Sequence, residues 1–531
     1  MPSLFLCRLF QLAVLPLALA IPPDTTQYNT RGSGINWKSC DLGLNETAPM
    51  QCGNLNVPLD YTDPHSKTKL ELDLLRVKAT KKPSKGSIIL NFGGPGISGK
   101  ADFAFYARQI LGATGGYHDL VTFVPRGTDQ TIRFSCYGTD EERSYASVLN
   151  PVIAGNSSDT AVGRIWAESR IFDATCGAVQ NETGRFVGTA FVARDVMQIV
   201  DALDEDGMLR YWGVSYGTVL GETTAAMFPK RIDKMVLDGV VNPYEYYANR
   251  EAELFTDTDK VLSGFCKGCV ANPTNCALAG DKVTASELEA SIYAFLDNLK
   301  FNPIIIPLPA PLYGYVVDYT TVKTLIFSSL YAPQVWHILA YRLKAIMTVD
   351  AEAIIAIATE LLSGPPVLDA ESMFGIKCSD ASDPTANLAD ILPTIESRHR
   401  NSRIGGDTAD HVVARCAGWK LPAKERYSGD FHVKTKNPLL VIGNTYDPVT
   451  PLASARNVSE SFENAVLLQH DGYGHDSHPQ ASFCTAKAIR AYFVKGKLPK
   501  KGTKCAVDTT LFDGSDGWDK VLEKLDKDNH Y

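Results

Sequence analysis

Tyr211-Trp212-Gly213-Val214-Ser215-Tyr216-Gly217 contains a G-x-S-x-G pentapeptide, with an apolar run before it and a helix-like run behind it. Met208 to Trp212 reads as a short strand, and Thr218 to Phe228, rich in small and apolar residues, reads as a helix. A strand that turns sharply into a helix forces its central residue into a strained backbone, and only small neighbours such as Gly213 and Gly217 leave room for the turn. The expected product is a nucleophile elbow, with Ser215 Oγ exposed and the Tyr216 backbone N–H aimed where an oxyanion would form. The pentapeptide also arises by chance in glycine-rich chains, so its reading depends on what surrounds it.

Upstream, Leu70 to Lys78 begins as alternating apolar and acidic residues, and Ser87 to Phe92 is an apolar strand suited to the middle of a parallel sheet. The second of these ends in Gly93-Gly94-Pro95-Gly96-Ile97-Ser98-Gly99. An oxyanion hole needs one N–H from such a loop; Gly94, or the segment Gly96 to Ile97, is placed to supply it, whereas Pro95 has no N–H. Leu120 to Val124 is the next strand and runs into Pro125-Arg126-Gly127, and a polar excursion through Cys136 and Cys176 leads to a helix at Thr189 to Leu203. After the elbow, Ile232 to Leu237 forms another strand and ends at Asp238. This rhythm predicts an α/β fold, a mostly parallel central sheet flanked by helices, with its site at the C-terminal ends of the strands.

From Asn242 to about Thr435 helices take over, among them Ala285 to Leu299, Gln334 to Met347 and Ala351 to Leu362, with a proline-rich joint at Pro303 to Pro311. Strands resume at Pro438 to Gly443 and Ala465 to Gln469, and a helix at Ser482 to Phe493 closes the sheet, so the helical stretch reads as a lid inserted between core strands. The expected division is a signal peptide at 1–20, an irregular cysteine-clamped arm at 21–64, core at 65–241, lid at 242–435, the remaining core at 436–510 and a tail at 511–531.

A serine nucleophile needs a histidine base and an acid that holds the base's tautomer. Behind an elbow in a parallel α/β sheet these follow in the order Ser, Asp or Glu, His. The loop after Leu439 to Gly443 carries Asp447-Pro448-Val449-Thr450-Pro451, and the loop after Ala465 to Gln469 carries His470, Gly474-His475 and His478. Asp447 is the expected acid, with Asp238 as its rival. His475 is the expected base, because Gly474 frees the loop to present the ring; His478 and His470 are its rivals.

The bulk composition narrows the setting. A net charge of -8 argues against nucleic acid as a partner, and the basic stretch Lys495 to Lys504 reads as solvated surface. Arg8, the apolar run Leu9 to Leu19 and the small residues Ala18 and Ala20 form a secretory signal with a cut after Ala20, and no later run is long and apolar enough to predict a membrane anchor. Sequons at Asn45, Asn156, Asn181 and Asn457 fit export with glycosylation. The remaining cysteines are odd in number; Cys40 with Cys52, Cys484 with Cys505, Cys136 with Cys176 and Cys378 with Cys416 are the expected pairs. Cys266-x-x-Cys269 with Cys276 has the look of a metal clip, but no histidine lies near and an oxidising compartment favours a disulfide.

The ordered set Gly93-Gly94-Pro95-Gly96, Pro125-Arg126-Gly127, Gly213-Val214-Ser215-Tyr216-Gly217-Thr218, Met235 to Val240, Asp447 to Pro451 and Gly474-His475 followed by Cys484 spans most of the chain. In that order and spacing the chain resembles the secreted tripeptidyl-aminopeptidase-like branch of the α/β-hydrolase superfamily, the proline-iminopeptidase-related serine peptidases with a TAP-like C-terminal region. The resemblance implies an exopeptidase that cleaves from the N-terminus through an acyl-enzyme on Ser215. It also implies a lid that narrows the site, the triad Ser215, Asp447 and His475, and no metal or cofactor. The alternative is an esterase or amidase acting on a small secondary metabolite, since the same site cleaves esters. The chain departs from the family at Val124, where an aspartate is usual, and at Thr131, where a serine is usual. Glu251 and Glu253, acids at the start of the lid, read as solvated helix charges rather than as amine-binding groups.

Overall fold

A computed structural model describes residues 34–528, apart from 281, 309–312, 364–368 and 383. The expected signal peptide at 1–20, with its Cys7, lies outside the described residues. The strands run β1 (Lys38–Ser39), β2 (Gln51–Pro58), β3 (Lys69–Val77), β4 (Ser87–Asn91), β5 (Asp119–Phe123), β6 (Leu209–Val214), β7 (Ile232–Asp238), β8 (Ile304–Pro307), β9 (Gly314–Val317), β10 (Leu440–Tyr446), β11 (Val466–Tyr473) and β12 (Lys504–Ala506). Ten of them form one sheet in the order β1-β2-β3-β5-β4-β6-β7-β10-β11-β12, and β8 and β9 form a separate hairpin. β3 is antiparallel to both its neighbours, and every pair from β5 to β12 is parallel. This is the α/β-hydrolase fold.

Two-residue alternation sorts the strand side chains into two cores. Ile88, Leu90, Trp212, Val214, Val236, Leu440 and Ile442 face one side, against the helices Lys100–Ala113, Phe483–Lys495 and Trp518–Lys527. Ile89, Tyr211, Met235, Leu237 and Val441 face the other, against Thr189–Ala202, Tyr216–Met227 and Leu452–Ser461. With both faces covered, β4 and β6 are buried at every residue, which is why they read as continuous apolar runs.

Three segments differ from expectation. Residues 51–58 of the supposed irregular arm form β2, paired with β3 along its whole length, because Leu55 and Val57 alternate into the core while Asn54 and Asn56 face out. The supposed tail carries the helix Trp518–Lys527, whose Trp518, Val521, Leu522 and Leu525 are buried and whose Leu525 carbonyl accepts from Arg490. The proline-rich joint of the lid carries β8, which pairs with β9 beyond the joint in a hairpin whose Ile306 and Val317 face inward.

The helical stretch between β7 and β10, expected as a lid, has its own core, built from the helices Thr258–Ala271, Ala285–Leu299, Tyr319–Ser329 and Trp336–Met347. A further part of the cover comes from the excursion before the elbow: Ile165 of the helix Ala161–Val179 packs with Val413, Ala414 and Ala417 of Asp410–Ala417. All four expected disulfides are present, and Cys269 pairs with Cys276, leaving Cys266 as a buried thiol rather than part of a metal clip. Among the described residues no helix is long and apolar enough to cross a membrane, and all four sequon asparagines are exposed.

Candidate active site

The sheet register brings the site residues to one edge. Asn91 pairs with Gly213, Val214 with Asp238, Asp238 with Ile442, and Asn444 with His470, so the loops following β4, β6, β7, β10 and β11 leave the sheet side by side. Ser215 sits at the turn from β6 into the helix Tyr216–Met227 with φ 58° and ψ -129°, a strained conformation for a residue with a side chain. The glycines around it are obligatory. A Cβ on Gly213 would lie 2.2 Å from the Gly217 carbonyl oxygen, and one on Gly217 would lie 2.3 Å from that of Asn91. The Ser215 N–H donates to the Asp238 carbonyl at 3.0 Å, and the hydroxyl of Thr218 donates to the Ser215 carbonyl.

The glycine loop after β4 comes up against this turn. Gly93 has φ 93°, and a Cβ there would meet Ser215 Cβ at 2.8 Å and the Tyr216 nitrogen at 2.9 Å. Its own N–H is taken by Asn91 Oδ1 at 3.1 Å. Among the described residues the N–H groups of Gly94 and Tyr216 donate to no protein acceptor, so both donors expected for an oxyanion remain available.

Asp447 is fully buried in the loop after β10 and accepts from the N–H groups of Val449 (2.9 Å), Thr450 (2.8 Å) and Asp476 (2.8 Å) and from the Thr450 hydroxyl (2.8 Å). His475, in the loop after β11, places Nδ1 3.1 and 3.2 Å from the two carboxylate oxygens of Asp447. Burial works against protonation of this imidazole, but the charge and hydrogen bond of Asp447, followed by Asp476 and Asp238, outweigh it and hold the pKa above the usual histidine value. The inserted helical segment holds this histidine as well: His475 N–H donates to the Tyr331 carbonyl at 2.8 Å, and the two rings meet edge to face with centroids 5.1 Å apart. Gly474, at φ 99°, leaves no room for a side chain beside Tyr331 and Pro333.

Two of the rival residues, Asp238 and His478, cluster around Asp476 next to this pair. Asp238 accepts from the N–H and hydroxyl of Ser477, and burial with the neighbouring charge of Asp476 raises its pKa. His478 pairs through Nδ1 with Asp476 at 2.8 Å, and its ring lies against Trp212 and Tyr106. Ligand-type atoms of Asp238, Asp476 and His478 fall within 4.8 Å of one another, but these groups are already engaged with Ser477 and with each other. The cluster therefore ties the histidine loop to the elbow through Asp238. His470 is buried elsewhere, with Nδ1 3.0 Å from the Thr485 hydroxyl, and burial lowers its pKa to about 4.

One expectation changes, and one motif gains a structural role. Glu251 is buried and pairs with Lys377 Nζ at 3.3 Å, while Glu253 accepts from Ser454 (2.7 Å) and Asn242 (2.9 Å); neither is a solvated charge, because the start of the lid folds down onto the core. Arg126 of the Pro-Arg-Gly segment is fully buried in a two-pronged pair with Asp195 and also donates to the carbonyls of Pro58, Leu59 and Phe186, so this segment is a structural pin. Sequence reading missed Asn91, Thr450 and Tyr331. Thr450, three residues after an acid in a turn, carried a weak signal; Tyr331 carried none.

Residues 402–505 match the model for TAP-like proteins. The chain is 27% identical to serine protease Hip1 of Mycobacterium tuberculosis over 506 residues, covering 89% of this chain and 91% of the relative. It is 28% identical to tripeptidyl aminopeptidase of Streptomyces lividans over 497 residues, covering 90% and 88%. It is 26% identical to carboxylesterase B of Mycobacterium tuberculosis over 540 residues, covering 94% and 97%. Among solved structures, an α/β-hydrolase enzyme from a Medee basin deep-sea metagenome library is similar, with 12% identity, 82% of this chain and 97% of that chain covered and a TM-score of 0.30.

Proposed function

We propose that this serine hydrolase is a secreted, glycosylated exopeptidase that removes short peptides from the N-terminus of its substrates, with Ser215, Asp447 and His475 as its triad. The observation that carries the reading is the strained Ser215 turn at the same sheet edge as a hydrogen-bonded Asp447–His475 pair whose carboxylate is fully buried, in a chain similar along nearly its whole length to a tripeptidyl aminopeptidase and a serine protease. The exposed sequon asparagines and the five disulfides support export.

In the reaction, Ser215 Oγ attacks the scissile carbonyl while His475 Nε2 takes its proton. Asp447 holds the Nδ1 proton and stabilises the imidazolium that forms. The N–H groups of Tyr216 and Gly94 receive the oxyanion, the imidazolium gives its proton to the leaving amine, and water then releases the acyl group by the same steps in reverse. The chemistry needs neither metal nor cofactor.

The similarity to carboxylesterase B favours a second reading, hydrolysis of small esters or amides. One substrate pair separates the two: a chromogenic tripeptide anilide with its N-terminus free or acetylated. The exopeptidase reading expects turnover of the free form and loss on acetylation. Turnover of an aryl ester with neither anilide cut replaces it with the esterase reading. Failure of a fluorophosphonate to label Ser215 would overturn both.

A further inference from the structure

The lid helix Asp369–Asp380 packs on the loop of one expected half of the oxyanion hole and reaches the other, Tyr216, through Thr189. At its N-terminal part, the backbone of Ser372 and Met373 packs on Gly96: a Cβ on that glycine would lie 2.4 Å from the Met373 nitrogen. The helix therefore closes directly over the loop that carries Gly94. At its C-terminal end the fully buried Asp380 carboxylate reaches into the core. It accepts from the Thr189 N–H at 2.9 Å, from the Thr189 hydroxyl and from the Tyr246 hydroxyl at 3.1 Å. The oxygen of the same Thr189 hydroxyl lies 2.6 Å from the Tyr216 hydroxyl.

A carboxylate can only accept, which fixes the direction of this chain. Thr189 must give its single hydroxyl hydrogen to Asp380, so Tyr216 must donate to Thr189. The phenol of Tyr216 is thus pinned at its far end, and its ring is held against Tyr246 with centroids 5.8 Å apart. Tyr216 is the residue whose backbone N–H faces the oxyanion position. Lys377, one turn earlier on the same helix, donates to the Tyr246 carbonyl at 2.6 Å and pairs with Glu251, which closes the polar network around the carboxylate.

We propose that Asp380 is a positioning residue: through Thr189 it orders Tyr216, and with the Gly96 contact of its helix it sets the geometry of the oxyanion hole. This inference rests on the functional reading above. The lid then acts as a brace for the reacting geometry as well as a cover.

The test compares Asp380→Asn and Tyr216→Phe with the wild-type chain, on the anilide or ester that the wild type cleaves. Active sites are counted by exhaustive fluorophosphonate labelling. In Asp380→Asn the amide hydrogens face hydroxyls that must reverse, leaving the Tyr216 hydroxyl without its acceptor. Removing an oxyanion donor outright costs roughly 100- to 1,000-fold in kcat, so loosening one is expected to cost about 30-fold here and about 5-fold in Tyr216→Phe. KM should stay within about twofold, and affinity for a boronate transition-state analogue should fall in parallel with kcat.

Unchanged kcat per labelled site in both variants would overturn the proposal, and so would a raised KM with kcat intact. Should Asp380→Asn fail to fold, Tyr216→Phe, which removes one buried oxygen, decides alone by the same criteria. If the wild type neither turns over any substrate nor labels at Ser215, the functional reading fails and takes this inference with it. Wild-type activity with indifferent variants refutes the inference only.

Discussion

Replacing Asp447 by asparagine should nearly abolish turnover while leaving the fold intact, for a reason that follows from the hydrogen-bond pattern. Oδ1 accepts two backbone N–H groups, from Val449 and Thr450, so an amide nitrogen there would face two donors. Oδ2 accepts from the Thr450 hydroxyl, which can rotate to become the acceptor, and from the Asp476 N–H. The amide therefore settles with its nitrogen in the Oδ2 position, 3.1 Å from His475 Nδ1. An N–H aimed at Nδ1 makes that nitrogen an acceptor and moves the ring proton to Nε2, where it blocks uptake of the Ser215 proton. A wrong-tautomer substitution of this type elsewhere costs about 10,000-fold in kcat, or about 5.4 kcal/mol of barrier. The assay is steady-state hydrolysis by wild type, Asp447→Asn and Asp238→Asn, normalised to folded protein by circular dichroism. Asp238→Asn should keep activity within about tenfold, since that residue orders Ser477 rather than the base. A loss below about tenfold in Asp447→Asn, or an equal loss in Asp238→Asn, would refute the assignment of the acid.

Further outcomes follow from other features of the site and core. Because the charge of Asp447 outweighs burial and raises the pKa of His475, kcat/KM should rise with pH through a limb whose midpoint lies above 6.5, and a midpoint below that value contradicts the cited balance. Glu222 is fully buried, without a hydrogen-bond partner among the described residues, and burial raises its pKa well above 4.5. Folded protein keeps the Glu222 proton that unfolded protein loses, so wild-type stability relative to Glu222→Gln should fall by about 1.4 kcal/mol per pH unit above about pH 4.5, until the folded pKa is reached. Urea melts at pH 4, 6 and 7 test the slope, and parallel curves would show that the side chain finds a partner. Asp195→Ala strands the Arg126 guanidinium in the core and should cost about 3–5 kcal/mol of stability in the same melts, whereas Asp195→Leu with Arg126→Met should recover most of it. Gly93→Ala places a methyl 2.8 Å from Ser215 Cβ and should remove activity even where the melting curve barely moves; full activity would mean that the loop yields without cost.

What could be read along the chain was what depends on local sequence. The apolar runs of β4 and β6 announce strands buried on both faces, and Gly213 and Gly217 announce a turn that admits no side chain. Asp447 and His475 are legible as candidates because each follows an apolar strand, but their rivals Asp238, His470 and His478 do so as well. The misread segments are those whose partner lies far away in the chain. Residues 51–58 look like an arm until β3 supplies the ladder, and Trp518–Lys527 looks like a tail until Arg490 and the helix Phe483–Lys495 supply a surface.

The sequence by itself determined the α/β rhythm and the elbow, because these are written in periodicity and in glycine placement, and it pointed to an order of candidate site residues and to four disulfide pairs that the structure joins. Only the tertiary structure decided between Asp447 and Asp238 as partner of His475, sent His478 to Asp476, and turned Glu251 and Arg126 inward. It also set Tyr331 and Asp380 against the site. Those outcomes depend on directions in space between residues up to about two hundred positions apart, such as Thr189 and Asp380, and a one-dimensional pattern carries no record of which buried donor will face which buried acceptor.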